Sequence, residues 1–391
     1  MRLARRMDRV APSAIMELIK TTAAGDYISF ASGLPDPALY PIETLRALTD
    51  EVLATDGRAA LQYGPAEGYP PLREFVAELL RGRGLEATPE HVLITNGSQQ
   101  ALDLAARALL EPGDRVALDI PSYLAAIQAF DSYEATYAPI RMDSRGMDVA
   151  HLREALASPT RLLYLLPNFQ NPTGITMSRE RRQDVAECAA AREVPLLEDD
   201  AYHDLRYEGE ALPPVCALAP NQGALYAGTF SKSIAPGLRV GYLWGRPELI
   251  ARLGQLKQIT DLHTGSLTQR VIYRYCEAGH LETGIARLRE SYHARRDALL
   301  DALEREVGGL LTWTRPEGGM FVWAVLPEGR DAQVLLERAL RRGVVFVPGA
   351  SFHPDGGGRN TLRLNFVSAT EERIREGIRI LGEVLREWLA E

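Results

Sequence analysis

Between residues 91 and 245 the chain keeps repeating one pattern: a short apolar run, a turn, then apolar residues at helical spacing. His91–Thr95 reads as a strand and Ser98–Leu110 as the helix after it. Arg115–Ile120 is a strand and Tyr123–Phe130 is helical. Ala135–Ile140 and Arg161–Leu166 are strands. The helix Arg179–Arg192 leads into the strand Val194–Glu198, and Ala224–Phe230 and Val240–Trp244 complete the set. Strands alternating with helices build an α/β layer around a mostly parallel sheet, here of seven strands lying between helices.

From about Glu282 the pattern changes. A long charged helix, Thr283 to about Glu306, precedes strands at Phe321–Val325 and Leu362–Phe366 and helices at Ala332–Arg342 and Glu371–Leu389. This predicts a second, smaller α+β domain built from both termini. The expected division is residues 1–45 as a segment joining the small domain, 46–281 as the large domain and 282–391 as the small C-terminal domain.

Ligands of parallel sheets bind beyond the carboxyl ends of the strands. Four such ends carry polar, chemistry-bearing residues: Asn96-Gly-Ser-Gln99, Pro167-Asn168 with Asn171-Pro-Thr-Gly174, Asp199-Asp200, and Ser231-Lys232. Of the 44 Lys and Arg residues only Lys20, Lys232 and Lys257 are lysine. Arginine cannot deprotonate in a protein and cannot replace an amine that reacts. The neighbours of Lys232, in Gly228-Thr-Phe-Ser-Lys-Ser-Ile-Ala-Pro-Gly-Leu-Arg239, point to a nucleophile. Lys20 and Lys257 read as chance survivors of a composition depleted in lysine.

The net charge of −8 disfavours nucleic acid as a partner, because phosphate backbones select basic surfaces. Cys188, Cys216 and Cys276 show no CxxC and no metal-ligand spacing, so no metal is expected, and they fit a reducing compartment. No apolar stretch approaches a membrane span and no signal peptide is evident, so a cytoplasmic protein is expected. The run Pro354-Asp-Gly-Gly-Gly358 is a loop.

Gly97-Ser98-Gln99 opens a helix directly after a strand, where free N–H groups and the positive helix end favour an anion. Helix capping is the alternative for Ser98 and Gln99. Thr229 and Ser231 add hydroxyls, and the Arg239 guanidinium can hold two phosphate oxygens at once. Asp199, at a buried strand end in Glu-Asp-Asp-Ala-Tyr202, needs a partner. A protonated ring nitrogen would serve; a metal site or an N-cap are the alternatives. Asn171-Pro-Thr-Gly could be merely a turn. Tyr123 could be core, or could lay its ring on a flat ligand.

Taken together, Asn171-Pro-Thr-Gly, Asp199-x-x-Tyr202 and Ser231-Lys232…Arg239 resemble the class I aminotransferases, pyridoxal-phosphate enzymes of fold type I. Gly33-Leu-Pro35, Gln62-Tyr-Gly-Pro65, Asn96-Gly-Ser-Gln-Gln100, Pro121-Ser-Tyr123, Asp261-Leu-His263, Pro316-x-Gly-Gly-Met-Phe321 and Leu362-Arg-Leu-Asn365 resemble the branch of 2-aminoadipate, kynurenine and broad-specificity aminotransferases. The resemblance runs from about Pro12 to about Leu385.

It implies that Lys232 bonds the cofactor and moves the substrate's proton. Asp199 would pair with the pyridine nitrogen so that the ring draws electrons. Tyr202 and Asn171 would hydrogen-bond the ring oxygen, and Tyr123 would stack on the ring. Ser98, Gln99, Thr229, Ser231 and Arg239 would hold the phosphate. Arg363 would clamp the substrate α-carboxylate, with Gly33 and Asn171 beside it. Tyr63 would reach the phosphate of the neighbouring subunit in a homodimer with shared sites.

The implied reaction exchanges an amino group between an L-amino acid and a 2-oxo acid, with 2-oxoglutarate as acceptor. Where some relatives for acidic substrates carry an arginine, this chain has Met16, an adaptable apolar surface. That favours an aromatic or larger aliphatic donor over 2-aminoadipate. Ser32 stands where relatives commonly have glycine. A β-lyase or another amino-acid enzyme on the same fold is the alternative, since the fold does not fix the reaction. A ligand-sensing transcription regulator is disfavoured, because the pattern begins by about residue 12 and the chain is acidic.

Overall fold

The computed structural model of the chain describes residues 3–10, 12, 18, 20 and 25–391. Its strands, in chain order, are β1 (Ile28–Ser29), β2 (Val92–Thr95), β3 (Arg115–Ile120), β4 (Thr136–Asp143), β5 (Gly146–Met147), β6 (Leu162–Leu165) and β7 (Leu196–Asp199). They continue with β8 (Leu225–Thr229), β9 (Gly241–Gly245), β10 (Thr312–Trp313), β11 (Phe321–Val325), β12 (Val344–Val345), β13 (Val347–Pro348) and β14 (Thr361–Asn365).

The large sheet has the order β2-β9-β8-β7-β6-β3-β4-β5. Its seven longer strands are those read from the sequence; the eighth, β5, is a two-residue hairpin partner of β4. Pairing is parallel from β8 through β7, β6 and β3 to β4, and β9 runs antiparallel to both β8 and β2. Every residue of β2, β6, β7 and β8 is buried. That explains why these segments, the acidic end of β7 aside, are largely apolar runs rather than alternating ones: helices cover both faces of the sheet. Two separate apolar clusters line those faces, one around Val76, Leu163 and Ile272 and one around Leu102, Phe130 and Leu253.

The second core is built on the antiparallel sheet β10-β11-β14-β13. The helix Glu371–Leu389 presents Ile374, Ile378, Leu381, Leu385 and Trp388 to it, a stripe at i, i+4, i+7 spacing. Its start is fixed by the Thr370 hydroxyl, which accepts from the Arg373 N–H, and by Glu371 and Glu372 in the first turn, where the helix dipole favours negative charge. At Gly377 a Cβ would strike the side chains of Ile28 and Phe30, so the absent side chain lets the N-terminal segment lie against this helix. β1 pairs in parallel with β12, and the Asn365 N–H donates to the Phe30 carbonyl at 2.9 Å. These contacts carry residues 31–36 across to the carboxyl edge of the large sheet.

Candidate active site

β2, β3, β6, β7 and β8 run in one direction, so their carboxyl ends open on the same edge, and the suspected residues follow those ends. Lys232 lies just beyond β8. Its Nζ donates to the Gly33 carbonyl at 2.9 Å. Burial lowers its pKa from 10.5 to about 8, with Arg363 and Arg239 adding repulsion and Asp199 opposing it. An amine in this setting reaches its neutral, nucleophilic form near physiological pH.

Asp199 ends β7 and is 2% exposed. Its Oδ2 accepts from the Tyr164 hydroxyl at 3.0 Å, while its Oδ1 is buried without a partner. Burial, helped by the adjacent Asp200, raises its pKa to about 7. A buried carboxylate oxygen aimed at nothing is costly, and an N–H from a ligand would relieve that cost. Asp200 faces the other way. It accepts from Asn168 at 2.9 Å and Tyr226 at 2.7 Å and lies 3.1 Å from His203 Nδ1. Burial alone would raise Asp200, but His203 and Arg83 hold it well below the ordinary carboxylate range.

Asn171 links the two sides of the site. Its Nδ2 donates to the Tyr202 hydroxyl at 3.3 Å and its Oδ1 accepts from Arg363 at 2.9 Å. Burial raises the Tyr202 pKa, so the phenol keeps its proton. The turn carrying Asn171 is held by Gln170, whose Oε1 accepts from the Thr173 N–H and hydroxyl and whose Nε2 donates to the Pro121 carbonyl at 2.7 Å. That last bond sets Asn171 against the segment ending in Tyr123, a tyrosine that burial and then Asp199 push up to about 12.

Arg363, 1% exposed on β14, donates through Nη2 to the Ala31 carbonyl at 2.8 Å. Its guanidinium lies 4.3 Å from the Phe321 ring centroid and 5.1 Å from that of Phe352. Its Nε is buried and unpartnered. Burial lowers its pKa to about 10, which leaves it a cation at neutral pH.

The turn after β2 forms a cradle. Gly97 has φ +75°, a conformation open to glycine, and a Cβ there would collide with the Arg239 guanidinium. No side chain caps the helix Ser98–Leu109, so its first N–H groups are open to an anion. Arg239 Nη2 donates to the Asn96 carbonyl at 3.1 Å. Thr229 and Ser231 join at 2.9 Å beside it. Gln99 is exposed and donates to the Ala125 carbonyl at 3.1 Å, and Ser98 is the first residue of the helix. Tyr63 stands apart, 75% exposed, with its ring 5.7 Å from that of His263. Met16 lies outside the described residues.

Among the described residues no cluster of His, Cys, Asp or Glu is placed to hold a metal, and no helix is long and apolar enough to cross a membrane.

The model of the family "Aminotransferase class I and II" matches residues 26–381. The chain belongs to this family. It is an aminotransferase. It is 42% identical over 382 residues to aromatic-amino-acid aminotransferase 1 of Thermococcus litoralis, covering 96% of this chain and 92% of that one. Two solved structures share the fold at 41% identity. One is LysN, the α-aminoadipate aminotransferase of Thermus thermophilus, complexed with N-(5'-phosphopyridoxyl)-L-leucine, with a TM-score of 0.93 over 99% of this chain and 98% of that one. The other is the kynurenine aminotransferase of Pyrococcus horikoshii, with a TM-score of 0.95 over 99% and 97%.

Sequence reasoning missed several residues of the site. Tyr164, inside the apolar run Leu162–Leu166, gives Asp199 one hydrogen bond; a tyrosine buried mid-strand needs a partner, and that was the available signal. Gln170 and Phe352 left no comparable trace, and Phe321 stood in a quoted motif without its contact to Arg363 being read. The reading of Lys257 as a chance survivor is corrected. It is fully buried and paired with Asp261, behind the turn at Gly97, so it has a structural place of its own.

Proposed function

We propose that this aminotransferase uses pyridoxal phosphate to move the amino group of an aromatic or larger aliphatic L-amino acid to 2-oxoglutarate. The observation that carries the cofactor reading is the pairing of a partly buried, readily deprotonated Lys232 with an unpartnered buried Asp199 Oδ1. The residues present fit the group. Asp199 Oδ1 would accept from the ring N–H, Tyr202 would donate to the ring oxygen, and Tyr123 would lie against the ring. The Gly97–Ser98 turn, with Gln99, Thr229, Ser231 and Arg239, would hold the phosphate. When bound, the cofactor supplies an electron-accepting ring that stabilises charge developing at the substrate Cα.

This chain's own residues do the rest. Lys232 is the residue that would hold the cofactor covalently, and its neutral amine, released when the substrate's amino group takes its place, would accept the proton from the substrate Cα. Asn171 Nδ2 donates to the Tyr202 oxygen, which leaves the phenol proton for the ligand. Arg363 has three N–H groups left after Asn171 and Ala31 are served, enough for both oxygens of the α-carboxylate. Segment 31–36 reaches Lys232 through the Gly33 carbonyl.

Among the described residues the cations acting on Lys232 are Arg363 and Arg239. The first is assigned to the α-carboxylate and the second to the phosphate. The relatives named above for aromatic amino acids and kynurenine support a neutral donor, and LysN supports 2-aminoadipate as the second reading. The assembly is a homodimer in this reading. Leu61, Tyr63, Ile259 and Leu262 are exposed, and Tyr63 would reach the partner's phosphate.

The test is a single-turnover screen. Reconstituted enzyme is mixed with each L-amino acid, and loss of the resting cofactor absorbance is followed, then its return on adding 2-oxo acids. Phenylalanine, tyrosine, kynurenine or leucine should give the largest specificity constants, with 2-oxoglutarate restoring the resting spectrum. The highest constant for 2-aminoadipate would overturn the donor assignment. Ammonia and a 2-oxo acid without amino-group transfer would overturn the reaction itself.

A further inference from the structure

Lys257 sits on the helix Pro247–Asp261 with 0% exposure, and its Nζ donates to both oxygens of Asp261, at 2.7 and 2.8 Å. Three local penalties meet at this point. A buried ammonium costs desolvation energy even when it is paired. Asp261 is the last residue of its helix, where the dipole disfavours an acid. The next residue, Leu262, has φ +64° and ψ −59°, closed by the His263 N–H donating to the Asp261 carbonyl at 2.8 Å. A leucine in that region is strained.

The first two converge on a single carboxylate, the third lies at the next residue, and that carboxylate is committed. Asp261 Oδ2 also accepts from Asn96 Nδ2 at 2.5 Å and from Gln100 Nε2 at 2.6 Å. Gln100 Oε1 in turn accepts from the Asn96 N–H at 2.8 Å. Asn96 and Gln100 bracket Gly97, Ser98 and Gln99, the open turn of the cradle. From the other side Arg239 grips the Asn96 carbonyl. The cradle backbone is therefore held between one arginine in the site and one ion pair behind it. Local rules that fail together usually mark a functional demand on the structure.

We infer that Lys257 and Asp261 are positioning residues. They fix Asn96 and Gln100, and with them the Gly97–Ser98 turn, in the anion-receiving conformation before the cofactor's phosphate arrives. Lys257 aims the Asp261 carboxylate, and Asp261 orients the two amides. A preset turn avoids the ordering cost that a loose one would incur on binding. The inference rests on the cradle being the phosphate site.

The experiment compares the apo forms of wild type and the double variant K257M/D261L, which replaces the ion pair with apolar side chains. Such replacements are often close to neutral in stability. Each apoprotein is titrated with pyridoxal phosphate and with unphosphorylated pyridoxal, following absorbance. The double variant should melt close to wild type and bind pyridoxal as wild type does, but lose about tenfold or more in affinity for pyridoxal phosphate. Equal losses for both ligands, or no loss for the phosphorylated one, would overturn the inference. If wild type itself does not prefer the phosphorylated ligand, it is the reading of the cradle that fails. The single variant Q100M cuts the same link from the receiving end without disturbing the ion pair, and should show the same selective loss if the double variant does not fold.

Discussion

Replacing Arg363 with lysine keeps the charge and removes the fork. The guanidinium has five N–H groups. One on each terminal nitrogen is spent on Asn171 Oδ1 and the Ala31 carbonyl, which leaves three, the buried Nε–H among them. An ammonium has three in all. If two serve Asn171 and Ala31, one remains, and the substrate carboxylate loses one charge-assisted hydrogen bond. Such a bond is worth about 1.5–3 kcal/mol. At about 1.4 kcal/mol per factor of ten, kcat/KM for a donor amino acid should fall roughly 10- to 100-fold in R363K. The assay is the single-turnover reaction with L-phenylalanine, set beside 2-phenylethylamine, which has the same side chain and no carboxylate. The variant should process the amine much as wild type does. The reasoning is refuted if R363K stays within about threefold of wild type on the amino acid, or if the amine loses as much as the amino acid.

Three other outcomes follow from the same geometry. Burial raises Asp199 from 3.8 to about 7, so the stability it lends the apoprotein is present at low pH and lost as pH rises through 7. D199N removes that loss and should melt above wild-type apoprotein at pH 8, by at most about 4 kcal/mol, with the gap closing toward pH 4, while transamination falls by about a hundredfold or more. G97A places a Cβ against Arg239 at φ +75° and should weaken pyridoxal phosphate binding about tenfold or more, measured by absorbance titration, with far-ultraviolet circular dichroism unchanged. In the apoprotein, the rate at which an amine-selective reagent labels Lys232 should rise with a midpoint near pH 8; a midpoint near 10.5 would mean that the site leaves its basicity unperturbed.

The central strands of the large sheet were legible because both of their faces are buried, so that β2, β6 and β8 are short, largely apolar runs bounded by turn residues, while β4 is partly exposed and alternates. Their ends then named the site, since one direction of travel puts Asn96, Asn171, Asp199 and Lys232 on one edge. What stayed hidden depends on contacts that no local spacing encodes. The rings of Phe321 and Phe352 meet Arg363 only after β11, β14 and the turn at 349–352 fold together. β12 and β13 are two residues each and leave no periodic signal. Lys257 was the instructive miss. Helical spacing places it four residues before Asp261, an ordinary surface pair by pattern, and only the packing of its helix under the cradle buries it.

The central claim concerns one nitrogen, Lys232 Nζ. Holoenzyme reconstituted with pyridoxal phosphate is reduced with borohydride, digested and mapped by mass spectrometry. The pyridoxyl adduct should appear on Lys232 alone, with Lys20 and Lys257 unmodified and K232A carrying no adduct. An adduct on Lys257 or Lys20 in the wild type, or retention of the reduced cofactor by K232A, would contradict that claim.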